Sequence, residues 1–138
     1  MISVTRLKDA ERVVRLTMAI ILLTAGTSKF FSAGGFADYY GGLFQGDLRI
    51  SLPAFLVNLY LCIIPYIEVT LGAALLIPKF KCYTVYAWFL FMWSLLFGHY
   101  ILQEWSAVNQ MLDYMFLGLL CLVLPHHAAF LARDTVAD

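Results

Sequence analysis

The sequence predicts an all-α, integral membrane four-helix bundle that forms a single domain over residues 1–138. The chain is 62% hydrophobic and only 13% charged, whereas soluble domains are roughly half apolar and one quarter charged. Its mean hydropathy is +0.82. The apolar residues form four continuous runs instead of an alternating pattern, which favours membrane-spanning helices over the strands of a barrel.

Each apolar run is close to the roughly 20 residues that a helix needs to cross a bilayer. The predicted membrane helices cover about 13–31, 53–77, 83–102 and 106–124. Pro78 and Pro125 follow the second and fourth runs, where a proline can end a helix. The connection after the second run is very short, so the second and third helices should form an antiparallel hairpin.

The basic residues predict how the bundle is oriented. Seven of the nine lie before the first run, in the short second connection or in the C-terminal tail: Arg6, Lys8, Arg12, Arg15, Lys79, Lys81 and Arg133. All seven fall on one side of a four-helix topology, and the positive-inside rule assigns that side to the cytoplasm. We therefore expect both termini in the cytoplasm, an N-in/C-in arrangement.

The long connection between the first two runs predicts a short amphipathic helix over about 34–47. Apolar and aromatic residues recur there at helical spacing: Phe36, Tyr39, Tyr40, Leu43 and Phe44. We interpret this segment as an interfacial helix on the outer membrane surface. Two roles stay open for it, a cap that only packs on the bundle and a cover over a site among the helix ends.

Charge and motifs exclude several function classes. The net charge is zero, so no basic surface suggests nucleic acid as a partner. Cys62, Cys82 and Cys121 are far apart and form no thiol-redox or zinc motif. His99 has no second histidine at its depth in the membrane, which excludes a bis-histidine haem. We expect no metal and no covalently bound cofactor.

Ionisable residues from all four predicted helices lie at similar depth. A rise of roughly 1.5 Å per residue from the cytoplasmic boundary puts four of them in a layer about 9 Å thick: Lys29, Glu68, His99 and Asp113. Asn109 precedes Asp113 by one turn and can join them. A carboxylate in hydrocarbon costs roughly 3 kcal/mol unless it is paired or enclosed by protein. These five residues are therefore the predicted buried polar or ligand site.

Small residues indicate which helix faces point inward. Gly26 shares a face with Lys29, and Gly72 shares a face with Glu68, so both faces allow close helix approach. With Asp113 included, the layer holds two acids and one lysine, which predicts that one carboxyl group is protonated. The alternative is a buried ion pair that only sets the register of the bundle.

The order of several motifs resembles the DoxX family of small four-helix bacterial membrane proteins. The carrying pieces are GTSKF at 26–30, the aromatic and glycine-rich connection, LPA at 52–54 and IE-x3-G at 67–72. The resemblance covers residues 12–124 or so, and Lys29 and Glu68 match the family's lysine and glutamate. Relatives include the DoxD subunit type of thiosulfate:quinone oxidoreductase and the MauE type associated with methylamine dehydrogenase maturation.

The resemblance implies an accessory subunit of a quinone-linked redox complex in the bacterial inner membrane. Quinone is the ligand class it implies for the polar site, and its partners would be lipids and other membrane subunits or further copies of the chain. Two other functions stay open. One is a purely structural subunit that stabilises a larger complex, and the other is a small proton-coupled transporter.

Overall fold

The computed structural model describes residues 4–32, 35–46, 48 and 50–125. Within these ranges the ordered elements are helices: α1 (Val4–Phe30), α2 (Phe36–Phe44), α3 (Ala54–Leu75), α4 (Lys81–Ile101) and α5 (Trp105–Val123). A 3-10 turn, Pro78–Phe80, leads directly into α4. Four of the helices, α1, α3, α4 and α5, are long and apolar enough to cross a membrane. The prediction of an all-helical chain with four membrane-length helices is confirmed.

The main difference from the predicted boundaries lies at the start of α1. This helix begins at Val4 and not near residue 13. The added turns are polar in sequence, but Glu11 within them is buried inside the bundle at 0% exposure, next to Arg15 at 3%. Arg133 and the ends of the predicted interfacial segment, Gly34 and Asp47, lie outside the described residues.

The four long helices form a ring in the order α1, α3, α4, α5, and α5 closes the ring against α1. The core consists of large side chains from α1, α3 and α4 with Cys121 of α5: Met18, Leu22, Ile64, Leu75, Val85, Trp88 and Cys121. Many aromatic and aliphatic side chains cover the outside of the ring, as expected for helices that face lipid. The short helix α2 packs on α3, at the end of the bundle where α1 ends and α5 begins.

Helices α1 and α3 approach each other most closely at two glycines. A Cβ added to Gly26 would lie 2.9 Å from both the Cβ of Glu68 and the carbonyl oxygen of Pro65. A Cβ added to Gly72 would lie 3.1 Å from the carbonyl oxygen of Ala19. These separations are too short for a side chain. The two glycines therefore set the distance between α1 and α3.

We expect alanine to have opposite effects at two helical glycines. Gly26→Ala should destabilise the bundle by about 1–3 kcal/mol, because the methyl group must push α1 away from α3. Gly42→Ala in α2 should stabilise it by about 0.5–1 kcal/mol, because alanine favours helix and nothing lies within 4 Å of the added Cβ. SDS titration in mixed micelles gives the free energy of unfolding of both variants. Equal stabilities would contradict the close approach of α1 to α3 at Gly26.

Candidate functional site

Lys29 and Glu68 form a buried ion pair between α1 and α3. The Nζ of Lys29 donates to Oε1 of Glu68. The Glu68 side chain is 4% exposed and the Lys29 side chain 18%. The Lys29 Nζ also lies 4.8 Å from the centre of the Phe36 ring, a cation–π distance. One lysine thus connects α1, α2 and α3.

One carboxylate oxygen of Glu68, Oε2, is buried and has no hydrogen-bond partner among the described residues. A buried acceptor without a donor is costly, so this atom is available to a ligand that carries a hydroxyl group. Pro65 lies one turn earlier in α3 and has no N–H to donate to the carbonyl of Leu61. Both polar features belong to the same two turns of α3.

A cavity of about 250 Å³ lies beside this ion pair, enclosed by the four long helices and covered by α2. Most of its lining is aliphatic, aromatic or methionine. Polar groups project from all five helices: Lys29, Tyr40, Tyr60, Glu68, His99 and Tyr114. From α2, Phe36, Tyr40 and Phe44 contribute to the wall. This helix therefore covers the cavity as well as packing on α3.

Residues beside the turn between α4 and α5, His99 and Leu102, also line the cavity. The Glu104 N–H donates to the His99 carbonyl at 3.0 Å, and the Gln103 N–H donates to the Tyr100 carbonyl at 3.1 Å. This is the Schellman pattern of a helix end. Gln103 occupies the left-handed position with φ 59°, where glycine is usual. The turn brings Oε2 of Glu104 to 2.6 Å from Nδ1 of His99.

Tyr40 lies next to this histidine. The two rings are 6.0 Å apart in an edge-to-face arrangement. Burial raises the pKa of the Tyr40 phenol above its usual value, and the charges of Glu104 and Tyr39 add to the effect. The hydroxyl group therefore keeps its proton at neutral pH. Tyr40 is therefore a hydrogen-bond donor in the wall of the cavity.

A second cavity, of about 270 Å³, adjoins the first between α3 and α4. It has an almost entirely apolar lining: Phe44, Leu52, Leu56, Val57, Tyr60, Ser94, Phe97 and Gly98. Its two hydroxyl groups bond each other, Tyr60 to Ser94 at 2.5 Å. Phe44, Tyr60 and Gly98 belong to both cavities. The two spaces therefore share one wall.

The structure does not bring Asp113 and Asn109 to this site, and the predicted group of five is corrected accordingly. The inward face of α5 carries Met111, Tyr114, Gly118 and Cys121, which line the first cavity or are buried. Asp113 and Asn109 lie on the opposite side of the helix and are exposed. Lys29 thus faces a single carboxylate, and the two-to-one count of acids to lysine no longer supports a protonated carboxyl group.

A second buried polar cluster was not predicted from the sequence. Oε1 of Glu11 lies 3.0 Å from Nε of Arg15 and 3.5 Å from Nζ of Lys81. Arg15 also donates to the Leu75 carbonyl at 2.6 Å, and Lys81 donates to the Leu124 carbonyl at 2.9 Å. These carbonyls lie at the C-terminal ends of α3 and α5, where the last carbonyl groups of a helix have no backbone N–H of the same helix to accept from. The cluster therefore joins the ends of α3 and α5 to α1 and α4.

The sequence signal for this cluster was the spacing of Glu11 and Arg15, four residues apart on one helix face. The positive-inside rule by itself assigns Arg15 and Lys81 only to the cytoplasmic boundary. The two buried polar groups are well separated, because Arg15 and Lys29 are fourteen residues apart, roughly 21 Å along α1. Side chains with at most 1% exposure fill the space between them: Met18, Leu22, Leu75 and Trp88.

Among the described residues, no group of three or more histidine, cysteine, aspartate or glutamate side chains is arranged to hold a metal ion. No protein-family model, curated protein or solved structure matches this chain. The chemistry of the site therefore rests on its own geometry, a paired lysine and an orphaned carboxylate oxygen beside an aromatic cavity.

Proposed function

We propose that this chain is a multi-pass protein of the bacterial inner membrane and an accessory subunit of a quinone-linked redox complex. Its termini would lie in the cytoplasm, with α2 on the outer membrane surface. The observation that carries the proposal is the 250 Å³ cavity with the Lys29–Glu68 pair in its wall. The resemblance of the sequence to the DoxX family supports the same assignment.

The polar groups of the cavity fit a quinone headgroup, a small flat ring with carbonyl oxygens on opposite edges. Lys29 and Tyr40 both line the cavity and can each donate to a carbonyl oxygen, Tyr40 because its phenol keeps its proton. The orphaned Oε2 of Glu68 can accept from a hydroxyl group of the reduced form. Aromatic and methionine side chains suit the faces of the ring. A bound quinone supplies the redox chemistry, and these side chains hold and orient it.

The second cavity fits the tail of such a ligand. Its two hydroxyl groups bond each other, and Ser94 also donates to the Phe91 carbonyl. Both hydroxyl donors are therefore already used, and the otherwise apolar lining suits a hydrocarbon chain. Leu56 and Phe97, which line it, are 56% and 57% exposed on the bundle surface. A prenyl chain entering from lipid would pass between α3 and α4 and reach the first cavity at the wall that both cavities share.

A purely structural subunit is the second candidate. The observation in its favour is the balanced charge of the site. One lysine meets one glutamate, and such a pair can hold α1 against α3 without binding a ligand. The transporter ranks third. The closed core between the two polar clusters, with Trp88 and Leu22 at 0% and 1% exposure, disfavours a path for protons or solutes across the bundle.

Quinone binding to the purified protein tests the proposal, with two tyrosine variants as a matched pair. Tyr40→Phe removes only the hydroxyl group from the cavity and should weaken binding of decylubiquinone about fivefold, the equivalent of one hydrogen bond. Tyr39→Phe should leave binding unchanged, because Tyr39 is 63% exposed and outside the cavity lining. Quenching of tryptophan fluorescence, or equilibrium dialysis in detergent, measures both affinities.

No saturable binding by the wild-type protein would reject the quinone site and favour the structural subunit. If both variants lose the same affinity for quinone, the loss does not come from removing a hydroxyl group inside the cavity. Purification from native membranes in mild detergent, with mass spectrometry of retained polypeptides and quinones, tests the assignment as a subunit. A stoichiometric oxidoreductase partner is the expected result, and recovery of this chain alone would contradict it.

A further inference from the structure

The outward face of α5 carries polar residues on a membrane-length helix. Ser106, Asn109 and Asp113 are all exposed there. Asp113 lies eight residues after Trp105, roughly 12 Å along the helix axis and far from either end. None of the three side chains makes a hydrogen bond or ion pair with another residue in the part of the chain that the structure describes. In a bilayer, a carboxylate in this position would face hydrocarbon.

Such an arrangement is unfavourable for an isolated bundle, because intramembrane carboxylates are normally enclosed by protein or paired. α5 is also the least enclosed of the long helices, with only 11% of its membrane-length window buried. The polar face therefore indicates that a further helix covers α5 in the membrane.

The spacing of the exposed residues describes the geometry of that contact. Six of them follow one another at intervals of three, four, three, four and three along α5, and we call them the α5 seam: Ser106, Asn109, Asp113, Phe116, Leu120 and Val123. This heptad spacing is that of helix pairs that cross at about 20° and interlock their side chains. The first three residues of the seam are polar and the last three are apolar.

We propose that the α5 seam is the interface between two copies of this chain, related by a two-fold axis along the membrane normal. In such a pair the two α5 helices run parallel, so each seam residue meets its own counterpart. Serine and asparagine each carry a donor and an acceptor and are therefore self-complementary. Two Asp113 carboxyl groups at the axis can share a proton, as closely placed carboxyl pairs do.

Self-complementary polar groups and register favour a second copy as the occupant. In the described residues, the lysines and arginine buried in the bundle already have partners: Lys29 with Glu68, and Arg15 and Lys81 with Glu11. A second copy therefore offers amide and carboxyl groups to Asp113, and these are the groups that the seam presents. An asparagine within such a seam can fix the register of a helix pair, which is the role assigned to Asn109.

Energy transfer between fluorescently labelled copies in liposomes tests the dimer. The double variant Asn109→Leu/Asp113→Leu should weaken dimerisation about tenfold or more, because interhelical hydrogen bonds are lost at two positions in both copies. Leu112→Ala, which is exposed on α5 but off the seam, should leave dimerisation unchanged. Both variants should keep the helical circular dichroism of the wild type, since none of these side chains is buried. A monomeric wild type at all protein-to-lipid ratios would overturn the proposal.

Cysteine cross-linking in membranes tests the seam itself, in a background with Cys62, Cys82 and Cys121 replaced by alanine. A cysteine at position 116 or 120 should form a disulfide between two copies. A cysteine at position 112 or 119 should not. Cross-links only at the latter positions would overturn the seam, and cross-links only to a different protein would overturn the second copy as its occupant.

Discussion

Lys29→Met is expected to destabilise the bundle by about 3–5 kcal/mol, because it leaves the Glu68 carboxylate buried without its cation. Glu68→Gln should cost less. The Lys29 side chain is 18% exposed, against 4% for Glu68, and a lysine can extend its ammonium group toward solvent. SDS titration in mixed micelles gives the free energy of unfolding of each variant. Lys79→Met, at an exposed lysine, is the control and should have little effect.

The double variant Lys29→Met/Glu68→Gln separates the structural from the functional interpretation of this pair. It should recover most of the lost stability, because a buried pair replaced on both sides leaves no stranded charge. A double variant that folds but no longer binds quinone supports the proposed ligand site. Full stability together with unchanged binding would make the pair a structural contact, and equal stability of wild type and Lys29→Met would contradict the buried pair.

At the other end of the bundle, Glu11→Gln is expected to be among the most destabilising single changes, at about 3–5 kcal/mol. It leaves Arg15 and Lys81, each at most 4% exposed, as two buried cations without an anion. Lys81→Met should cost only about 2 kcal/mol, the value of a charged hydrogen bond to the Leu124 carbonyl. It leaves Arg15 and Glu11 as a balanced pair. We therefore expect Glu11→Gln to be less stable than Lys81→Met, and this ranking tests the cluster as much as the size of each loss.

Arg12→Met is the matched control for this cluster, because Arg12 neighbours Glu11 in sequence but is exposed. It should change the free energy of unfolding by about 0.5 kcal/mol or less. Thermal unfolding in detergent, followed by circular dichroism, ranks the three variants. If Lys81→Met is less stable than Glu11→Gln, the hydrogen bond from Lys81 to the Leu124 carbonyl contributes more to stability than the neutralisation of the buried cations by Glu11.

Residue counting along the helices predicted the depth of the buried pair but not which side of each helix faces inward. Helical rise depends only on residue count, so counting along the chain correctly indicated that Lys29 and Glu68 lie at similar levels. Gly26 and Gly72 on their faces correctly indicated that both faces point into the bundle, and the structure shows that they meet. Asp113 has a suitable depth as well, but its azimuth around α5 depends on which stripe of that helix is packed. Met111, Tyr114, Gly118 and Cys121 form that stripe, and Asp113 is opposite it.

The Glu11 cluster was missed for a related reason. Charges near the ends of membrane helices normally lie at the polar boundary, so the sequence indicates only an orienting role for Arg15 and Lys81. Their burial depends on α1 extending back to Val4 and on the ends of α3 and α5 reaching the same level. Local patterning does not specify these contacts, because the partners are far apart in sequence: Arg15 and Leu75 are 60 residues apart, and the Cys121 thiol, 3.9 Å from Oε1 of Glu11, is 110 residues from it.

The sequence by itself determined the helical class, the four membrane-length segments, the short helix α2 and the level of the Lys29–Glu68 pair. Those features follow from apolar run length and residue spacing, which are local properties of the chain. Only the tertiary structure decided which side of α5 faces inward, which carbonyls Arg15 and Lys81 reach, and that α2 covers a cavity. These depend on the rotation of each helix about its axis, and that rotation is set by packing against residues distant in the sequence.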